Sequence, residues 1–172
     1  MHYRLFKPIQ KQTGFSLFEV IVYLAIISVV MTAVLSIVAR SVLNRVKAET
    51  IYSVTSSTRY AVERMTQDIR SAADIDETDL ASNILTVESA TGEIRSYQVV
   101  DGQLVVSTNG ATAIPLTPTS LTVEAFSLAD RTTVGTEINA VELTLSLASA
   151  STNPRPEYQA DFSLTTTVST RL

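Results

Sequence analysis

The sequence predicts an α+β protein, with one long N-terminal helix whose first half is of transmembrane character and whose second half packs on an antiparallel β-sheet domain. Three observations predict it. Phe15 to Val38 is an apolar run holding a single charge, Glu19. Ser41 to about Ala73 has no Gly or Pro and repeats its apolar residues at helical steps. Beyond Asn83 the period changes from helical to alternating, punctuated by Asp-Gly and Asn-Gly pairs.

The anchor comes first in the chain. Val20 to Val38 carries no charge, and at about 1.5 Å per residue it makes a helix of roughly 28 Å, close to the hydrocarbon thickness of a bilayer. A secretory signal has a shorter apolar core ending at a small-x-small cleavage site, whereas this run ends in Ser-Ile-Val-Ala-Arg and continues into a polar helical stretch. The charges ahead of it, Arg4, Lys7 and Lys11, are all basic. That places the leader in the cytoplasm and the C-terminal bulk across the membrane.

The residues Gly14-Phe15-Ser16-Leu17-Phe18-Glu19 and the apolar run after them resemble the N-terminus of type IV prepilins and type II secretion pseudopilins. The resemblance is specific over about Lys11 to Val30 and implies a pilin-like fold, most like that of a minor pilin or minor pseudopilin. It implies cleavage between Gly14 and Phe15 by a prepilin peptidase, N-methylation of Phe15, and pairing of Glu19 with the freed α-amine of a neighbouring subunit. The implied partners are the peptidase, other pilin or pseudopilin subunits, the inner-membrane assembly platform and the membrane itself, with no nucleic acid bound directly. The implied location is a single-pass membrane protein, N-terminus cytoplasmic before processing and C-terminal domain extracytoplasmic, which then enters a pilus or pseudopilus. Two features depart from the family pattern. The residue before Gly14 is Thr13 rather than a base, and Ser36 stands where many pilins have a proline, so the helix should lack a proline kink.

The chemistry of the motif is intelligible. Gly14 has no Cβ to obstruct a protease approaching its backbone. A carboxylate at bilayer depth costs up to a few kcal/mol, of which the helix dipole returns only about 0.3 to 1, so Glu19 needs a cation. The plainer alternative places Glu19 at the cytoplasmic interface, paired with water or Lys11.

The expected divisions are a leader over 1–14, a transmembrane or fibre-core helix over 15–39, an amphipathic continuation over 40–73 and a β-rich domain over 74–172. About 134 residues lie beyond the leader and the apolar run, enough for one compact domain. On the second helical stretch, Val42, Val46, Tyr52, Tyr60, Val62, Met65 and Ile69 are read as the face packed on that domain, with Arg59, Glu63, Arg64, Asp68 and Arg70 outside. Val54 to Thr58, rich in Ser and β-branched residues, is the weak part of the helix. Asp74 to Asp79 reads as a solvated helix-exit loop, because it lacks the glycine and glutamate an EF-hand requires. About six antiparallel strands follow: Ile84–Glu88, Glu93–Val100, Gln103–Ser107, Ser120–Leu128, Ala140–Ala148 and Tyr158–Val168. Thr91-Gly92, Asp101-Gly102 and Asn109-Gly110 are the turns, Pro115 and Pro118 break regularity, and Asp130 to Thr136 is a polar loop. The last two strands should pair, and Arg171 could reach Asp161 or Glu157.

Composition narrows the function. Three of the thirteen Lys and Arg lie in the leader and none of the seventeen acids does, leaving ten bases against seventeen acids, a net −7. Such a chain is a poor unaided DNA binder. It has no Cys, and its one histidine, His2, lies in the leader, which removes thiolate and imidazole chemistry from the processed protein. No phosphate loop and no spaced carboxylate pair stands out, so neither an enzyme nor a cofactor is expected. The leading reading is therefore a structural fibre subunit processed by a prepilin peptidase and assembled through its N-terminal helix. The alternative is a non-polymerising, membrane-anchored β-rich binding or adhesion domain, which would need neither Gly14 nor Glu19.

Overall fold

The computed structural model describes residues 14, 16–132 and 138–170. They fall into two compact units, one ending at Val42 and the other beginning at Leu43. Helix α1, Leu17–Ser71, contributes to both. In the first unit no other described element packs on it: every large apolar side chain from Leu17 to Val38 is exposed, and the helix is long and apolar enough to cross a membrane. Ser28, Thr32 and Ser36 donate their hydroxyls to the carbonyls four residues back, at 2.7, 2.9 and 2.9 Å. These hydroxyls are thus satisfied within the helix and leave its surface apolar.

The second unit is α+β. Strands β1 (Ala72–Ile75), β2 (Leu85–Ser89), β3 (Ile94–Val100), β4 (Gln103–Thr108) and β5 (Ile114–Pro115) form one sheet in that order, with a short helix α2 (Glu77–Ala81) between β1 and β2. Strands β6 (Leu121–Asp130), β7 (Ala140–Ser149) and β8 (Asp161–Ser169) form a second. All pairings are antiparallel. Instead of six strands sharing one face, the described residues form eight in two sheets. Each of the six expected strands is present within one to three residues, and β7 does pair with β8.

The turns follow their chemistry. Asp101 and Gly102 both have positive φ, 50° and 74°, as a two-residue hairpin demands. Asn109 and Gly110 repeat the pattern at 51° and 70°. The sheets meet at the first of these turns, where Val123 N donates to Gly102 O at 2.8 Å.

One apolar core joins helix and sheets. Val54, Ala61, Val62, Met65 and Ile69 of α1 pack with Leu85, Val87, Tyr97 and Leu104 of the first sheet and Val141, Leu143, Leu145 and Leu147 of the second. Alternation along β7 puts these last four on the inner face. β6 reaches that face differently. Its bulge at Glu124 shifts the parity, so Val123 opposes Leu147 while Phe126 and Leu128 oppose Leu145 and Leu143.

The helix face differs from the expected one. Val62, Met65 and Ile69 are buried, but Val42, Tyr52 and Tyr60 are exposed, Tyr52 by 75 %. The stretch expected to be weak, Val54 to Thr58, is helical and supplies two fully buried residues, Val54 and Thr58, the latter donating to Val54 O at 2.8 Å. Burial there outweighs a propensity penalty of a few tenths of a kcal/mol per residue.

The acidic segment is structured too. Ala72 and Ile75 are core residues on β1, Asp76 caps α2 by accepting from Thr78 N and Asp79 N at 2.8 and 3.1 Å, and Asp79 accepts from the Thr86 hydroxyl at 2.5 Å. Asp76 thus serves as a helix cap and Asp79 as the acceptor of a side-chain hydroxyl, so two acids of the segment have structural partners. Pro115 likewise lies in a strand, the two-residue edge strand β5, where its missing N–H costs nothing.

Candidate functional site

Helix α1 begins just after Ser16, whose carbonyl accepts from Val20 N at 3.2 Å. Glu19 is the third helical residue, placed where the unsatisfied N–H groups of the first turn favour an anion. The spacing Ser16-Leu17-Phe18-Glu19 is that of a capping box, which would turn the glutamate back onto the helix start. Its carboxylate instead faces forward. Tyr23, one turn along, donates its hydroxyl to Glu19 Oε1 at 3.0 Å. Among the described residues Tyr23 is the one hydrogen-bond partner of Glu19. One carboxylate oxygen is thereby held by a neutral donor, and among the described residues no cation pairs with it. The i, i+4 relation of Glu19 and Tyr23 was available in the sequence as the signal of this contact.

Gly14 is exposed, and a Cβ built on it would meet nothing within 4 Å. Among the described residues, therefore, none demands that it lack a side chain. Phe15 lies outside the described residues, as do Lys11, Arg171 and residues 133–137 of the expected polar loop.

A second polar cluster sits in the core of the other unit and was not foreseen. Asp68, read as a surface charge, is only 8 % exposed. Arg95 Nη1 lies 2.7 Å from Asp68 Oδ1, the Tyr97 hydroxyl donates to Oδ2, and Arg64 approaches Oδ2 at 3.7 Å. Arg95 also holds Glu93 at 2.9 Å. Burial first, and then the Asp68 carboxylate it faces, push the Tyr97 phenol above its ordinary range, while Arg64 pulls it partly back. The partners stand 27 and 29 residues apart in sequence, and no local pattern links them. The cluster satisfies a buried charge beneath α1 and supplies no displaceable group. Among the described residues, no three His, Asp or Glu side chains are grouped to hold a metal ion.

Comparison with known proteins bears on the N-terminal site alone. A family model described as the prokaryotic N-terminal methylation motif matches residues 9–35, which include Gly14, Phe15, Glu19 and Tyr23. No curated protein and no solved structure matches the chain.

Proposed function

We propose that this chain, whose N-terminus carries the methylation motif of the type IV pilin and pseudopilin superfamily, is a structural subunit of a pilus-like or pseudopilus fibre, a minor one, joined to its neighbours through its N-terminal helix. The motif match is the observation that carries the reading. The α+β layout, with an apolar N-terminal helix leading into antiparallel sheets, agrees with it.

Prepilin peptidase cuts between Gly14 and Phe15, the new α-amine of Phe15 is methylated, and that amine on one subunit meets Glu19 of the next. Physical chemistry supports the last step. A carboxylate near the membrane interior is unfavourable by up to a few kcal/mol, and a hydroxyl donor such as Tyr23 offsets only part of that. A cation from a neighbour offsets the rest and fixes one relative height per subunit. The exposed Leu17 to Val38 surface is the face that lipid covers before assembly and other helices cover after it. The chain's role is structural, and its partners are the peptidase, fellow subunits and the inner-membrane assembly platform. Before processing it spans the membrane once with its N-terminus in the cytoplasm.

Intact-mass analysis of the protein co-expressed with and without a prepilin peptidase tests the processing step. The expected result is loss of Met1 to Gly14 together with gain of a methyl group, only when the peptidase is present. An unchanged mass in both cases would instead favour an anchored display domain that does not polymerise.

A further inference from the structure

Between Ser16 and Ser28 the helix carries polar side-chain atoms at two positions, Glu19 and Tyr23, and every other side chain there is apolar. Lipid before assembly and other helices after it leave both groups without water. A hydroxyl without an acceptor and a carboxylate without a donor are each unfavourable in such surroundings, and a spacing of four residues lets the two satisfy one another. They do so: the Tyr23 hydroxyl donates to Glu19 Oε1 at 3.0 Å. Along residues 16–42 every residue is exposed except Glu19, which is half-buried.

A rival donor for the carboxylate lies in the same chain. Glu19 stands three residues after Ser16, so a side chain turned back would reach the Ser16 N–H and would be satisfied there without any neighbour. That bond is not made. Among the described residues the Ser16 N–H has no acceptor, and the carboxylate is drawn one turn in the opposite direction. The tyrosine takes Oε1 alone, and Oε2 has no partner among the described residues.

We propose that Tyr23 is a positioning residue for the joining of subunits: its hydroxyl keeps Glu19 from capping its own helix and presents Oε2 to the α-amine of a neighbouring subunit. The inference rests on the fibre role proposed above and names the residue that shapes its contact. A carboxylate accepts at both oxygens, and an ammonium group only donates, so the tyrosine and the incoming amine hold one oxygen each and do not compete. Phenylalanine at position 23 would keep the ring and lose the donor.

Tyr23→Phe, compared with the native chain and with Glu19→Ala, tests the proposal in two settings. In a fibre-producing host, recovery of Tyr23→Phe in sheared fibres should fall about fivefold to tenfold, with leader removal and membrane level unchanged, and that of Glu19→Ala at least as far. In full-length protein in detergent micelles, exchange of the Ser16 amide hydrogen, followed by NMR with isotope-labelled serine, should slow about fivefold in Tyr23→Phe, because the freed carboxylate turns back onto that N–H. Adding Glu19→Ala to Tyr23→Phe should abolish the slowing. Native recovery of Tyr23→Phe beside failed Glu19→Ala would overturn the positioning role and leave the fibre reading standing. Reduced recovery with native exchange at Ser16 would also overturn it, and would direct the hydroxyl to the neighbouring subunit instead. Native recovery of Glu19→Ala would remove the fibre contact itself, and this proposal with it.

Discussion

Asp68 offers the sharpest quantitative test of how the sheet unit is held together. Asp68→Asn keeps the shape and removes the charge. In the native chain the carboxylate accepts from Arg95 at 2.7 Å and from the Tyr97 hydroxyl, in a site where Asp68 is 8 % exposed and Tyr97 fully buried. Hydrogen bonds to charged groups contribute about 1.5 to 3 kcal/mol each. The asparagine oxygen retains one of the two, and Arg95 keeps Glu93 at 2.9 Å and has a side chain 27 % exposed, so it is not left as an isolated buried charge. The expected loss is therefore about 2 kcal/mol, below the roughly 3 to 5 that follow breaking a fully buried pair. Tyr97→Phe should cost about 1.5 to 2 kcal/mol by losing the same charge-assisted bond. The double variant should fall short of additivity by about 1 kcal/mol, because the two residues share one contact. Urea unfolding of the full chain in detergent, read by circular dichroism at constant m-value, measures all three. Losses below about 0.5 kcal/mol for Asp68→Asn, with an additive double variant, would mean that these bonds do not hold the sheet unit together.

Three further outcomes follow from the same structure. The Tyr97 phenol is held neutral above its ordinary range, so its contribution is intact below the unfolded tyrosine value of about 10 and is lost as pH rises beyond it; the stability of Tyr97→Phe should fall less steeply than that of the native chain above pH about 10. Gly102→Ala should cost about 1 to 2 kcal/mol by thermal melting, since φ there is 74° and the new Cβ would lie 3.2 Å from Thr122 Cγ2. Thr117→Val should cost about 1 to 3 kcal/mol in urea unfolding, because the buried Thr117 hydroxyl oxygen accepts from Leu104 N at 3.1 Å and that strand N–H would lose its partner.

The features legible in the sequence are those with local causes. Gly14 to Glu19 and the uncharged run beyond mark the N-terminal site, Asp101-Gly102 fixes a hairpin, and the four alternating apolar residues of β7 name one wall of the core. What was not legible depends on tertiary placement. Tyr52 and Tyr60 share the apolar character of Met65 and Ile69, and only the position of the sheets decides that the first two face outward. Asp68 is indistinguishable from a surface acid until Arg95 and Tyr97 are brought to it by the pairing of β2, β3 and β4. The parity change from Val123 to Phe126 was a local signal of the β6 bulge, visible once both residues are required on one face. At the N-terminal site the sequence places the carboxylate, and the structure adds that Tyr23 holds it pointing along the helix.

If Glu19 joins subunits, incorporation into fibres depends on it. Cells of a fibre-producing host expressing the native chain or Glu19→Ala, at matched membrane levels, would be sheared and the purified fibres quantified for this chain by mass spectrometry. Recovery of the native chain with loss of at least about 90 % of the variant, while leader removal and the melting of the sheet unit are unchanged, is the predicted result. Equal recovery of the two would mean that Glu19 does not join subunits.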